Sequence, residues 1–127
     1  MRCSYPDELH EADLADLTRL KKNNDDHKFI LTVVDCFTRF AWARPLKNKG
    51  ADTVARALRD IYSSGRVPTY LRADAGKEFK GAVSVLLREN NIHLIIAKGP
   101  IKASIVERFN RTLKTRLFKH FTHDRNR

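Results

Sequence analysis

Asp74 closes a short apolar stretch, Tyr70-Leu71-Arg72-Ala73, and stands directly before Ala75-Gly76. An acid in that place borders the crevice where open α/β sheets bind ligands, although an Asp before a turn also serves as an Asx-type cap. Glu107 follows 33 positions later. Asp13 sits between Ala12 and Leu14, where a carboxylate is costly to bury unless it is paired or holds a cation. Should the three converge, their mutual repulsion calls for a divalent cation, and oxygen-only ligation with open positions suits Mg²⁺ or Mn²⁺. Two such ions roughly 3.5–4 Å apart activate an attacking oxygen and stabilise the leaving oxygen of a phosphodiester. Asp16 is the rival for the first acid; three positions from Asp13, it points to the opposite face of a strand.

These side chains need elements to position them. Over residues 103 to 121, Val106, Phe109, Leu113, Leu117 and Phe121 recur at steps of three and four, the apolar stripe of a helix facing a core. Glu107, Arg111 and Lys114 line up along another side at i, i+4 and i+7. Alone, such a stretch reads as a solvated basic helix with one Glu–Arg pair. Upstream, His10 to Leu17 carries only a weak strand pattern, and Lys21 to Lys28 reads as a turn. Phe29 to Val34 is an unbroken apolar and β-branched run that suits a strand buried on both faces. Phe40 to Pro45, with Trp42, gives its antiparallel hairpin partner. The period changes at Gly50 to Ser64, where Val54, Leu58 and Ile61 fall at helical steps, Asp52 sits in the first turn and Gly65 is placed to cap the end. A short strand then ends at Asp74, Phe79 to Asn90 reads as a second helix, Ile92 to Ala97 as the last strand, and Lys98 to Lys102 as a loop before the basic helix. The order β-β-β-α-β-α-β-α predicts a mixed α/β sheet flanked by helices.

At 127 residues the chain is one domain, long enough for a real core. Residues 1–8 read as a loose N-terminal segment, 9–121 as the domain and 122–127 as a basic tail. A formal net charge of +10 points to a polyanionic partner such as nucleic acid, with a membrane surface the weaker option. The surplus follows Glu107: Arg108, Arg111, Lys114, Arg116, Lys119, Arg125 and Arg127 stand against Asp124 alone. Cys3 and Cys36 are too few for a disulfide framework and form no zinc-binding spacing, so both read as reduced thiols. No run is long enough to cross a bilayer, and the first residues lack the apolar segment of a signal peptide. These features lead to the expectation of an intracellular protein, nuclear if it handles DNA.

Asp74-Ala75-Gly76-Lys77-Glu78-Phe79 and the later Val106-Glu107-Arg108-Phe109-Asn110-Arg111-Thr112-Leu113-Lys114 resemble the second and third blocks of the DDE integrase catalytic core of retroviruses, LTR retrotransposons and related transposons. The resemblance spans about residues 9 to 121, and residues 30 to 43 look like the family's second and third strands. Pro45 to Lys49, Lys102-Ala103-Ser104 and the run from Glu107 to Lys114 look most like integrases of Polinton or Maverick-type transposons. The resemblance implies an RNase H-like fold, truncated at its C-terminal end. It makes Asp13, Asp74 and Glu107 a catalytic metal-binding triad using Mg²⁺ or Mn²⁺, favours Asp13 over Asp16, and gives Asp35 a turn position, read as a cap. It also places Asn110, Arg111 and Lys114 along the DNA end, and Gly99 to Lys102 in an active-site loop. Where the family has Thr-Asp-Asn-Gly this chain has Ala73-Asp74-Ala75-Gly76, and 32 residues separate the second and third acids, fewer than the most familiar spacing. No His/Cys zinc module precedes the core. The implied activity is DNA integration by polynucleotidyl transfer, on double-stranded DNA and as a homo-oligomer. The alternative is a catalytically inactive, transposon-derived DNA-binding domain.

Overall fold

The computed structural model describes residues 3–17, 27–74, 79–97 and 105–113. Its strands are β1 (Leu9–Asp16), β2 (Phe29–Asp35), β3 (Ala41–Leu46), β4 (Tyr70–Asp74) and β5 (His93–Ala97). Its helices are α1 (Ala51–Tyr62), α2 (Ala82–Glu89) and a third, α3, over residues 105–113. The five strands form one sheet in the order β3-β2-β1-β4-β5. β2 runs antiparallel to both β1 and β3, while β4 lies parallel to both β1 and β5. The expected mixed sheet with flanking helices is therefore present. The turn at residues 21 to 28, the Gly76 turn, the loop at 98 to 102 and the basic tail fall wholly or mostly outside the described residues.

Alternation along the strands sends two sets of side chains to two faces. Ala12, Leu31, Val33, Leu71 and Ala73 join Val54, Leu58 and Ile61 of α1 and Val83, Leu86 and Leu87 of α2 in the main core. The other face carries Ala15, Ile30 and Val34, which pack against Leu113 and Val106 of α3. β2 is covered on both sides, as its unbroken apolar run predicts: every residue from Ile30 to Asp35 is buried.

Two helix boundaries have local causes, one departing from expectation and one matching it. α2 begins at Ala82, three residues later than its apolar pattern, because Gly81 adopts φ 56°, a left-handed conformation that no helix interior holds. Phe79 still reaches the core at 3% exposure. α1 ends where Gly65, at φ 95°, turns the chain away and donates its N–H to the Tyr62 carbonyl, the cap expected from sequence.

Candidate functional site

On β1, Glu11, Asp13 and Ala15 share the face covered by α3. Glu11 lies opposite Arg72 in the parallel β1–β4 ladder; the same register carried two residues on sets Asp13 level with Asp74, at the C-terminal end of β4. In the antiparallel ladder Asp13 lies opposite Thr32. Two of the expected acids thus stand on adjacent central strands, on the sheet face covered by the helix that carries the third.

α3 seats Val106 at 0% exposure and Asn110 at 5%, leaving Glu107 half-buried and Arg111 exposed. Asn110 Nδ2 donates to Asp13 Oδ2 at 2.6 Å, and Asn110 Oδ1 accepts from the Thr32 hydroxyl, also at 2.6 Å. The amide therefore has one possible sense: its donor end must face the carboxylate, so its acceptor end meets the hydroxyl. Asp13, Leu14, Ala15, Asp16, Glu107, Asn110 and Arg111 line an open pocket of about 440 Å³. Of the residues expected at the site, Asp13, Glu107, Asn110 and Arg111 meet at this pocket, and the rival acid Asp16 borders it too. Asp74 is half-buried at its edge of the sheet, not among the pocket's lining residues. Its Oδ1 is buried without a hydrogen-bond partner. Lys114 lies outside the described residues. Asn110, expected along the DNA, faces inward and holds Asp13.

The family profile described as "Integrase core domain" matches residues 8–99, from just ahead of β1 through β5. The chain belongs to the integrase core domain family. It is 42% identical over 113 residues to a transposon-derived protein of Caenorhabditis elegans, a match covering 87% of this chain and 40% of that protein. With the Gag-Pol polyprotein of feline leukemia virus it shares 33% identity over 108 residues, covering 82% of this chain and 6% of the polyprotein. The fold matches a chain of the simian T-cell lymphotropic virus intasome, solved in complex with PP2A regulatory subunit B56 gamma. That match has a TM-score of 0.83 and 19% identity, over 100% of this chain and 45% of that one. It also matches the HTLV-2 integrase catalytic core domain, solved in complex with magnesium in a trimeric form, at TM-score 0.76 and 17% identity, over 96% of this chain and 76% of that one. The fold is the RNase H-like fold of integrase catalytic cores.

This integrase core holds a second polar cluster that no spacing in the sequence announced. Among the described residues, Asp7, His10 and Asp35 bring their ligand atoms within 4.8 Å of one another. A cation already occupies this cluster, because the Arg66 guanidinium lies 3.0 Å from Asp7 and 3.1 Å from Asp35 and stacks over Phe40 and Trp42, 5.0 Å from each ring. Burial raises the carboxyls of Asp7 and Asp35, but bonds from Arg66 and His10 to Asp7, and from the Thr38 hydroxyl and backbone to Asp35, carry both below the usual range. Asp35 also accepts both Thr38 bonds at the β2–β3 turn, so its reading as a cap is correct. Burial lowers His10, whose contact with Asp7 opposes the shift only in part; its Nδ1 is buried without a hydrogen-bond partner among the described residues, so a proton there would be an N–H with no acceptor. The expectation of two reduced thiols is corrected beside this cluster. Cys3 and Cys36 form a disulfide with Cα atoms 6.0 Å apart, because the backbone bonds of Asp7 to Asp35 and of Cys36 to Leu9 bring the N-terminal segment onto the β2–β3 turn.

Proposed function

We propose that this chain is the catalytic core of an enzyme that cuts and joins DNA ends, with Asp13, Asp74 and Glu107 holding Mg²⁺ or Mn²⁺. The supporting observation is the donor set itself. Asp13 and Glu107 share one open pocket, and on the neighbouring strand Asp74 keeps a buried carboxylate oxygen that has no hydrogen-bond partner among the described residues. An orphaned buried oxygen calls for a partner, and a carboxylate-only set suits a hard divalent cation. Such ions, when bound, polarise the phosphodiester and ease attack on it. The chain's own residues do the rest. Asn110 fixes the Asp13 carboxylate, and Arg111 gives the DNA backbone a basic contact at the pocket; Lys114 is assigned the same role from the sequence resemblance alone.

In the first reaction, water attacks a phosphorus near the transposon end and the bond from phosphorus to the 3′-oxygen breaks, leaving a free 3′-hydroxyl on the transposon strand and a 5′-phosphate on the released fragment. In the second, that hydroxyl attacks a target phosphodiester, joining the two DNAs and releasing a target 3′-hydroxyl. The bonds broken and formed balance without a covalent enzyme intermediate. Double-stranded DNA is the partner, the working form is a homo-oligomer, and the compartment is the nucleus. The basic surplus of the chain supports the DNA partner, and the intasome and trimeric core among the similar structures support the oligomer; the nucleus follows only from the DNA reading. The narrower placement among Polinton or Maverick-type transposons rests on the residue runs named above and belongs to the same proposal.

End processing and strand transfer on short duplexes with Mg²⁺ or Mn²⁺ test it. Glu107→Gln should abolish both reactions, and Asp74→Asn should abolish Mn²⁺ binding. Activity that survives Glu107→Gln removes the assignment. Duplex binding that weakens with salt, without Mn²⁺ binding, selects the inactive DNA-binding alternative.

A further inference from the structure

Glu11, Arg72 and Ile105 each stand two residues ahead of one of the three acids, Asp13, Asp74 and Glu107. The structure joins these positions at a single carboxylate. Glu11 Oε2 accepts from Arg72 Nη1 at 2.9 Å, while Oε1 accepts from the backbone N–H of Ile105 at 2.9 Å and of Val106 at 3.1 Å. The Glu11 side chain is 0% exposed and that of Arg72 14%. Two residues are a full strand period, so Glu11 shares the face of Asp13, and Arg72 that of Asp74. At the helix, the first N–H groups have no intrahelical acceptor, and a carboxylate both satisfies them and meets the positive end of the helix.

We propose that Glu11, compensated by Arg72, is the positioning residue of the site: it seats the N-terminus of α3 on β1 and β4 and so sets Glu107 against Asp13 and Asp74. This rests on the reading of those acids as metal ligands. The apolar contacts of Val106 and Leu113 hold α3 against the sheet, but such contacts are non-directional and do not set where the helix lies along its axis. Directional bonds set it: those of Asn110 to Asp13 and Thr32 further along the helix, and that of Glu11 to the Ile105 and Val106 N–H groups, which lies closest to Glu107 on its other side. A slide of one residue moves Glu107 by about 1.5 Å, and a 1 Å misplacement costs about 10²-fold in rate. A buried ion pair adds little net stability over apolar residues of similar size, so geometry is its main contribution.

The test compares wild type with Glu11→Gln and with Glu11→Leu/Arg72→Leu, by amide exchange, Mn²⁺ titration and strand-transfer kinetics. In the wild type the Ile105 and Val106 amides should resist exchange although they open a helix. The double variant should melt cooperatively, since its buried pair is replaced by apolar side chains, yet lose protection at both amides. It should bind Mn²⁺ about 10–100-fold more weakly, and its kcat should fall about 10²-fold with KM for the duplex unchanged. Glu11→Gln keeps one carbonyl oxygen for those amides and should retain their protection. Freely exchanging amides at 105 and 106 in the wild type overturn the proposal, as does wild-type Mn²⁺ affinity in the double variant. A wild type that binds no Mn²⁺ removes the metal reading alone, and the amide exchange then still decides whether Glu11 seats the helix.

Discussion

Replacing Thr32 with valine takes one hydroxyl from the middle of the sheet and changes little else in volume. Thr32 is 0% exposed, and its hydroxyl is the donor to Asn110 Oδ1. In Thr32→Val that carbonyl, on a residue 5% exposed, loses its donor in a place water does not reach, a loss of about 1–3 kcal/mol. For a domain of this size that lowers Tm by roughly 5–10 °C. Asn110→Leu should cost more, because it also removes the donor to Asp13. The decisive measurement is the double-mutant cycle, read from urea unfolding of both single variants and the pair. If the hydroxyl, the amide and the carboxylate form one relay, the pair should show a coupling of about 0.5–3 kcal/mol. Strict additivity, within about 0.3–0.5 kcal/mol, would mean that Thr32 does not orient Asn110, and the account of how Asp13 is held would fall with it.

Other outcomes follow from the second cluster. His10 has a folded pKa below its ordinary 6.5, so its contribution to stability is complete above that value and is lost as pH falls toward the folded pKa; Asp7 and Asp35, depressed below 3.8, lose theirs only in stronger acid. Tm should therefore fall in two stages on acidification, and His10→Gln should remove the first; a single stage near pH 4 in the wild type would contradict this. Arg66→Ala strips the cation from the fully buried Asp35 and should cost about 1–3 kcal/mol. Arg44→Ala, which breaks a pair whose Asp60 side chain is 65% exposed, should cost less than about 1 kcal/mol, and equal values in urea unfolding would refute the ranking. Reducing the Cys3–Cys36 bond, which closes a separation of 33 residues, should lower stability by about 3–4 kcal/mol; identical melts with and without a thiol reductant would show that the bond constrains nothing.

The strand most important to the site was the hardest to read. β1 gave a weak pattern because His10, Glu11 and Asp13 interrupt its apolar residues, and those side chains are buried or half-buried only because Asp7, three residues before His10, and Arg72 and Asn110, far along the chain, supply partners. β2 was plain because its two covered faces both take apolar side chains. On α3 the apolar stripe of Val106, Phe109 and Leu113 was visible, and Glu107 and Arg111 fell on the side that borders the pocket. The bonds of Asn110 to Asp13 and Thr32 were not legible, because an amide on a helix gives no sign that a carboxylate and a hydroxyl lie beneath it. The pairing of Glu11 with Arg72, and of Cys3 with Cys36, depends on strand register and on a backbone fold-back that local patterns do not encode.

The bonds that build the site have long reach along the chain: 61 residues from Glu11 to Arg72, 78 from Thr32 to Asn110, 95 from Glu11 to Val106 and 97 from Asp13 to Asn110. Contacts of that span form late, because the chain must close large loops before any of them is rewarded. The β1–β2–β3 meander can assemble from its neighbours alone, whereas the pocket waits for β4 to dock parallel to β1 and for α3 to arrive last. A nascent or partly unfolded chain therefore holds a sheet with an open polar seam before it holds a site, and any chemistry at the pocket is withheld until folding is nearly finished.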